Sequence, residues 1–206
     1  MDSLTFYTNP MSRGRIVRWM LEELGQPYET VVLDYGRAMK SPAYLAVNPM
    51  GKVPAVAHGA RVVTECAAIC TYLADAFPQA GLMPDDRAAF YRWMFFGAGP
   101  MEQAIVNTSF GWKPGTPQEA GRTGYGSLET VIGAISAHVG QSGFMAGDRF
   151  SAADVYVGSQ IGWGLQFGTI PPNPALSDYW DLIKTRPAAA RATALDDALI
   201  NKDKPT

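Results

Sequence analysis

A chain of 206 residues, 47% hydrophobic and 17% charged, is a globular protein with room for one large or two small domains. Its seventeen basic and nineteen acidic residues are dispersed without a basic stripe, which argues against nucleic acid as a partner. No apolar run reaches the roughly eighteen residues of a membrane span, and the N-terminus lacks the pattern of a secretory signal, so no membrane partner and a cytoplasmic location are expected.

In chain order, residues 3–8 alternate like a half-buried strand, and a helix follows over 12–24, stopped by Gly25. Val17, Met20, Leu21 and Leu24 share one face of that helix, as packing on a sheet requires, while Trp19 points elsewhere. A strand is expected over 28–33. Residues 34–48 are loop-rich, with a short helix after Pro42. Strands over 55–58 and 61–64 flank Gly59 as a hairpin. The next helix, 65–77, aligns Cys66, Ile69, Cys70, Leu73 and Phe77 and ends at Pro78. Beyond it the pattern turns purely helical: 85–110 with a bend at Gly97, Gly99 and Pro100, then 117–139, 151–165, 175–185 and a short helix after Pro187. Ser151-Ala152-Ala153-Asp154 reads as a capping box with Asp in place of Glu.

Three segments carry chemistry. Val53-Pro54 opens a strand with a residue that cannot donate to a ladder; an X-Pro bond there can be cis, leaving the N–H and C=O of Val53 to pair with an extended, peptide-like ligand. Thr64-Glu65-Cys66 places a carboxylate and a small polar side chain at a helix start, where N–H groups favour a ligand carboxylate. Asn9-Pro10-Met11-Ser12 clusters amide and hydroxyl groups at the first strand-to-helix turn. Together these describe a pocket for a small zwitterionic peptide. Cys66 and Cys70 lie four apart on one predicted helix and form no disulfide framework, and His58 and His138 have no ligand-like spacing, so no metal is expected.

The order and spacing of N-P-M-S-R-G-R, N-P-M-G-K-V-P and E-C-A-A-I resemble the glutathione S-transferases over essentially the whole chain, most closely the bacterial-type proteins with a serine active site of the tau-like and theta-like classes. The resemblance implies an α/β thioredoxin-like N-terminal domain, 1–77, that binds glutathione as co-substrate, and an all-α C-terminal domain, 85–206. It further implies a homodimer that conjugates glutathione to a small hydrophobic electrophile, as in detoxification. Under it Ser12, otherwise an ordinary helix cap, donates to the glutathione thiolate. Tyr7 is the rival donor, followed by Thr8 and Asn9. Lys52 meets the glycyl carboxylate, with Lys40 and Arg13 as alternatives, and Val53 beside Pro54 pairs with the peptide backbone. Glu65 takes the glutamyl ammonium. Cys66 stands where the family usually has serine and offers a weaker donor. Met11, Met101, Phe110, Trp112, Trp163 and Phe167 are candidates for the electrophile pocket, or plain core. A thiol-exchange enzyme is disfavoured because residues 7–15 hold no cysteine. A non-catalytic carrier of glutathione or another ligand, or a glutathione-dependent peroxidase, is the alternative function.

Overall fold

The computed structural model describes residues 2–202, which group into two compact units: one of residues up to Leu82 together with those from Thr185 onward, the other Met83–Lys184. The first unit runs β1 (Leu4–Thr8), α1 (Gly14–Leu24), β2 (Glu29–Val32), α2 (Pro42–Leu45), β3 (Ala55–His58), β4 (Arg61–Thr64) and α3 (Cys66–Ala76). Its sheet has the order β2-β1-β3-β4, with β1 and β2 parallel and the other pairs antiparallel. This is a thioredoxin-like arrangement. Gly25, at φ 64°, takes the left-handed turn that ends α1, and Gly59, at φ 57°, turns the β3–β4 hairpin.

The period of two in β1 divides its neighbours between the faces. Phe6 lies under the Arg18 guanidinium of α1, 5.0 Å from the ring centre, whereas Tyr7 on the opposite face packs against Tyr44 of α2 with ring centres 5.6 Å apart. Ile16, Val17, Met20 and Leu21 of α1 and Ile69, Cys70 and Leu73 of α3 complete a buried core. Trp19 is buried as well, its indole N–H donating to Glu23 at 2.9 Å, so α1 is enclosed more widely than its apolar stripe implies.

The C-terminal segment supplies the second covering. The short helix expected after Pro187 is a sixteen-residue helix, Pro187–Lys202, and it packs on α1 rather than with the other helices. Small residues Ala188, Ala189 and Ala192 are buried along it, and ion pairs Arg186–Glu23, Arg191–Glu22, Arg18–Asp196 and Arg15–Asp197 tie it to α1.

The second unit is helical: α4 (Arg87–Phe96), α5 (Glu102–Ser109), α6 (Pro117–Arg122), α7 (Leu128–Ser142), α8 (Ala152–Phe167) and α9 (Pro174–Lys184), so the Pro187–Lys202 helix is α10. The expected 85–110 helix is interrupted by a π-helical turn, Gly97–Met101, because Pro100 has no N–H to contribute. The expected 117–139 helix is two: Gly124 and Gly126 adopt positive φ between them, and Ser127 caps the second. The capping box at α8 forms, and Asp154 also accepts from the Met145 N–H at 2.8 Å and the Tyr179 hydroxyl at 2.9 Å. Burial raises the Asp154 pKa, against the pull of the donors from Met145, Ser151 and Tyr179. Among the described residues no helix is long and apolar enough to cross a membrane.

Candidate functional site

The sheet register brings the three chemical segments to one edge. Tyr7 is opposite Ala55 and Ala55 is opposite Thr64, so the chain leaving β1, the chain entering β3 and the chain leaving β4 stand side by side. Beyond that edge lie the Asn9–Ser12 turn, Val53 and Glu65. The starts of α1 and α3 meet there: the Cys66 thiol reaches the Arg13 carbonyl at 3.8 Å. Helix N-termini carry partial positive charge that favours a nearby anion, although at α1 the Gly14, Arg15 and Ile16 N–H groups are already taken up by Ser12 Oγ, Ser12 O and Arg13 O.

Ser12 sits just before α1 and is half-buried. Its hydroxyl donates to the Asn9 carbonyl at 2.7 Å and accepts the Gly14 N–H at 2.9 Å. Asn9 is buried and fully engaged: its amide donates to Leu33 O at 2.9 Å and its Oδ1 accepts the Met11 N–H at 2.9 Å. Thr8 is buried, with its hydroxyl 3.4 Å from Asn9 O. Tyr7 is half-buried against Tyr44, on the α2 side of the sheet.

The second Asn-Pro-Met turn repeats the first. Asn48 Oδ1 accepts the Met50 N–H at 3.0 Å, and its amide donates to Lys52 O at 2.8 Å. The Tyr44 hydroxyl donates to the same carbonyl at 2.7 Å. Its pKa is pushed up to about 12, chiefly by burial, so the phenol keeps the proton that it donates. This clamp fixes the backbone before Val53, whose peptide bond to Pro54 is cis. Among the described residues nothing hydrogen-bonds to the Val53 N–H or C=O. The Lys52 side chain is exposed next to it, whereas Lys40 donates to Met50 O at 2.9 Å.

Glu65 is exposed, precedes α3 and adopts φ 66°, the one non-glycine residue with positive φ among those described. For a side-chain-bearing residue that backbone region is costly and marks a held position. Cys66 is the first residue of α3, half-buried and not disulfide-bonded.

The pocket candidates divide between the units. Met11 is 70% exposed beside Ser12, with its carbonyl accepting the Tyr35 hydroxyl at 3.0 Å. In the helical unit Met101 is fully buried at the end of the π turn, Trp163 is half-buried on α8, and Phe110, Trp112 and Phe167 are exposed. Among the described residues no group of three or more His, Cys, Asp or Glu side chains is arranged to hold a metal ion. Sequence reasoning missed the two asparagine clamps and the part played by Gly14. The repeated Asn-Pro-Met was the available signal, since an asparagine side chain readily accepts the N–H two residues on.

Residues 6–81 match the family description "Glutathione S-transferase, N-terminal domain". The chain is 28% identical to glutathione S-transferase GST-4.5 of Xanthomonas campestris pv. campestris, over 80% of this chain and 84% of that one. It is 30% identical to glutathione S-transferase F9 of Arabidopsis thaliana, over 82% and 86% of the respective chains. Among solved structures, a sphingomonad glutathione S-transferase complexed with glutathione superposes with TM-score 0.74 at 26% identity, covering 94% of this chain and 98% of that one. Identity of 30% over 82% of the chain, on a fold shared along nearly its whole length, shows that the chain belongs to the glutathione S-transferase family.

Proposed function

We propose that the protein is a glutathione transferase of the serine type, which activates the glutathione thiol for attack on an electrophilic carbon of a hydrophobic substrate. The observation that carries this reading is the Ser12 hydroxyl at the start of α1, on the same sheet edge as Val53 and the α3 N-terminus. Glutathione lies along that edge as an added strand. Its cysteinyl backbone pairs with the Val53 N–H and C=O, its glycyl carboxylate meets Lys52, and its glutamyl end meets Glu65 and the positive end of α3.

A free thiol of pKa about 8.5 is mostly protonated at neutral pH. Lowering it by about two units takes roughly 2.7 kcal/mol of preferential thiolate stabilisation, within reach of one charge-assisted hydrogen bond plus a helix N-terminus. The thiol proton leaves to solvent and the sulfur attacks the electrophile. Ser12 ranks above Tyr7 because Tyr7 is packed on Tyr44, on the face away from α1. We further propose that the exposed aromatics of the helical unit receive the electrophile, that the protein is a cytoplasmic homodimer, and that detoxification is its role. A monomer mass by light scattering at micromolar concentration sinks the dimer.

The deciding experiment compares Ser12→Ala with Tyr7→Phe, measuring glutathione retention and aryl-halide conjugation separately. Ser12→Ala is expected to lower conjugation roughly threefold at pH 7 and up to about tenfold below pH 6, as about one pKa unit of lost activation implies, with glutathione affinity nearly unchanged. Loss of turnover in Tyr7→Phe alone transfers the role to Tyr7. Binding without turnover in the wild type makes the protein a carrier.

A further inference from the structure

We infer that Gly14 and Thr8 are positioning residues for the Ser12 hydroxyl and that together they make it a hydrogen-bond switch; the inference rests on the serine reading above. Gly14 does not serve backbone conformation, since it is the first residue of α1 and its φ is not positive. Helix propensity there favours alanine over glycine. What excludes a side chain is proximity: a Cβ on Gly14 would stand 2.0 Å from Thr8 Oγ1 and 3.0 Å from Ser12 Oγ. The missing methyl lets the Gly14 N–H reach Ser12 Oγ at 2.9 Å.

That bond fixes what the serine can do. Its oxygen is anchored by an N–H from the positive end of α1, which polarises the O–H and leaves the hydroxyl proton as the movable part. With no thiolate present the proton rests on Asn9 O, 2.7 Å away. When the sulfur binds as thiolate, the O–H swings to it while the oxygen stays on Gly14. The proton remains covalently on Ser12, and the thiol proton has left to solvent. The carbonyl that Ser12 abandons is not stranded. Asn9 O keeps the Ser12 N–H at 3.1 Å, and the buried Thr8 hydroxyl stands by at 3.4 Å, free to shorten once the stronger competitor departs. Without that reserve donor, moving the Ser12 proton costs the site a buried hydrogen bond.

The test titrates enzyme-bound glutathione thiolate by its ultraviolet absorbance in wild type, Ser12→Ala, Thr8→Ala and the Thr8→Ala/Gly14→Ala double variant. Removing the threonine hydroxyl relieves the closest clash and lets the double variant fold, while the new methyl still crowds Ser12 Oγ. Thermal melts and glutathione affinity report folding and an intact site. In the double variant the bound thiol pKa is expected to rise by about one unit, a roughly threefold smaller thiolate fraction at pH 7, with glutathione affinity within about twofold of wild type. Thr8→Ala, which creates no clash, is expected to raise it by a smaller step, and Thr8→Ser to regain the lower value. A wild-type pKa in Thr8→Ala, or in a folded and glutathione-binding double variant, overturns the inference. An unchanged pKa in Ser12→Ala instead overturns the serine reading, so the two failures are distinguishable.

Discussion

Cys66 is where this chain departs from its family's pattern, and its placement says what the departure costs. The residue opens α3, where the positive end of the helix favours a ligand carboxylate whatever the side chain is. Its thiol instead makes a long contact with the Arg13 carbonyl, and a thiol is a weak donor. Cys66→Ser is therefore expected to tighten reduced glutathione by about 1 kcal/mol, roughly fivefold, the gain from improving one hydrogen bond. Calorimetric titration of both forms checks it, and equal or weaker binding by the serine form means that residue 66 does not bond the ligand through its side chain. The turn at Ser12 and the strand start at Val53-Pro54 were legible at this scale because turn chemistry and proline placement are local. The surroundings of Tyr7 were not, because alternation shows that Phe6 and Tyr7 face opposite ways but not which of them faces α1. The packing of Tyr44 on Tyr7 assigned the faces.

At the scale of elements, α10 shows how a helix built largely of small residues is held by what it packs against. Arg18 and Asp196 are almost wholly buried and pair at 3.1 Å, with Arg18 also donating to the Tyr28 hydroxyl and Thr30. Burial raises the Asp196 pKa, against the opposing charge of Arg18. Taking one partner from a buried pair strands the other, so Asp196→Ala is expected to destabilise by about 3 kcal/mol, and Arg18→Met added to it to recover most of the loss. Urea denaturation of the single and double variants decides; additive losses contradict the pairing. The glycines of α8 follow a related logic. Gly158 lets Ile183 approach and Gly162 lets Trp180 approach, since a Cβ would come within 2.2 and 2.6 Å of them. Sequence propensity counts those glycines against a helix, and close packing is what retains them.

For the whole molecule, three tyrosines held above their ordinary pKa, Tyr44 and Tyr179 buried and Tyr28 half-buried, lower stability at alkaline pH. Tyr28 is pushed up to about 12, first by burial, then with Arg18 lowering and Glu22 raising it; Tyr44 is pushed to about 12, and Tyr179 is raised well above its ordinary value by burial and by Asp154. Between pH 10 and about 12 the unfolded chain has released these protons while the folded chain still holds them, so stability falls as pH rises through that window. Melting temperatures measured from pH 9 to 11.5 are expected to decline, less steeply in Tyr28→Phe; a flat profile contradicts the assignment. By itself the sequence determined the strand and helix order of the N-terminal unit, the turns at Asn9–Ser12, Val53-Pro54 and Glu65-Cys66, and the capping box of α8. Each rests on local rules: a period of two or of 3.6, proline's missing donor, a helix start. Only the tertiary structure decided that α10 is long and returns to α1, that Asn9 and Asn48 clamp the two turns, and that Gly14 is a point of contact. The return of α10 to α1 and the Asn9 bond to Leu33 join residues far apart in the chain, Gly14 depends on a side chain that is absent, and in the Asn48 turn the local motif offered the bond but only the fold fixed which carbonyl it holds.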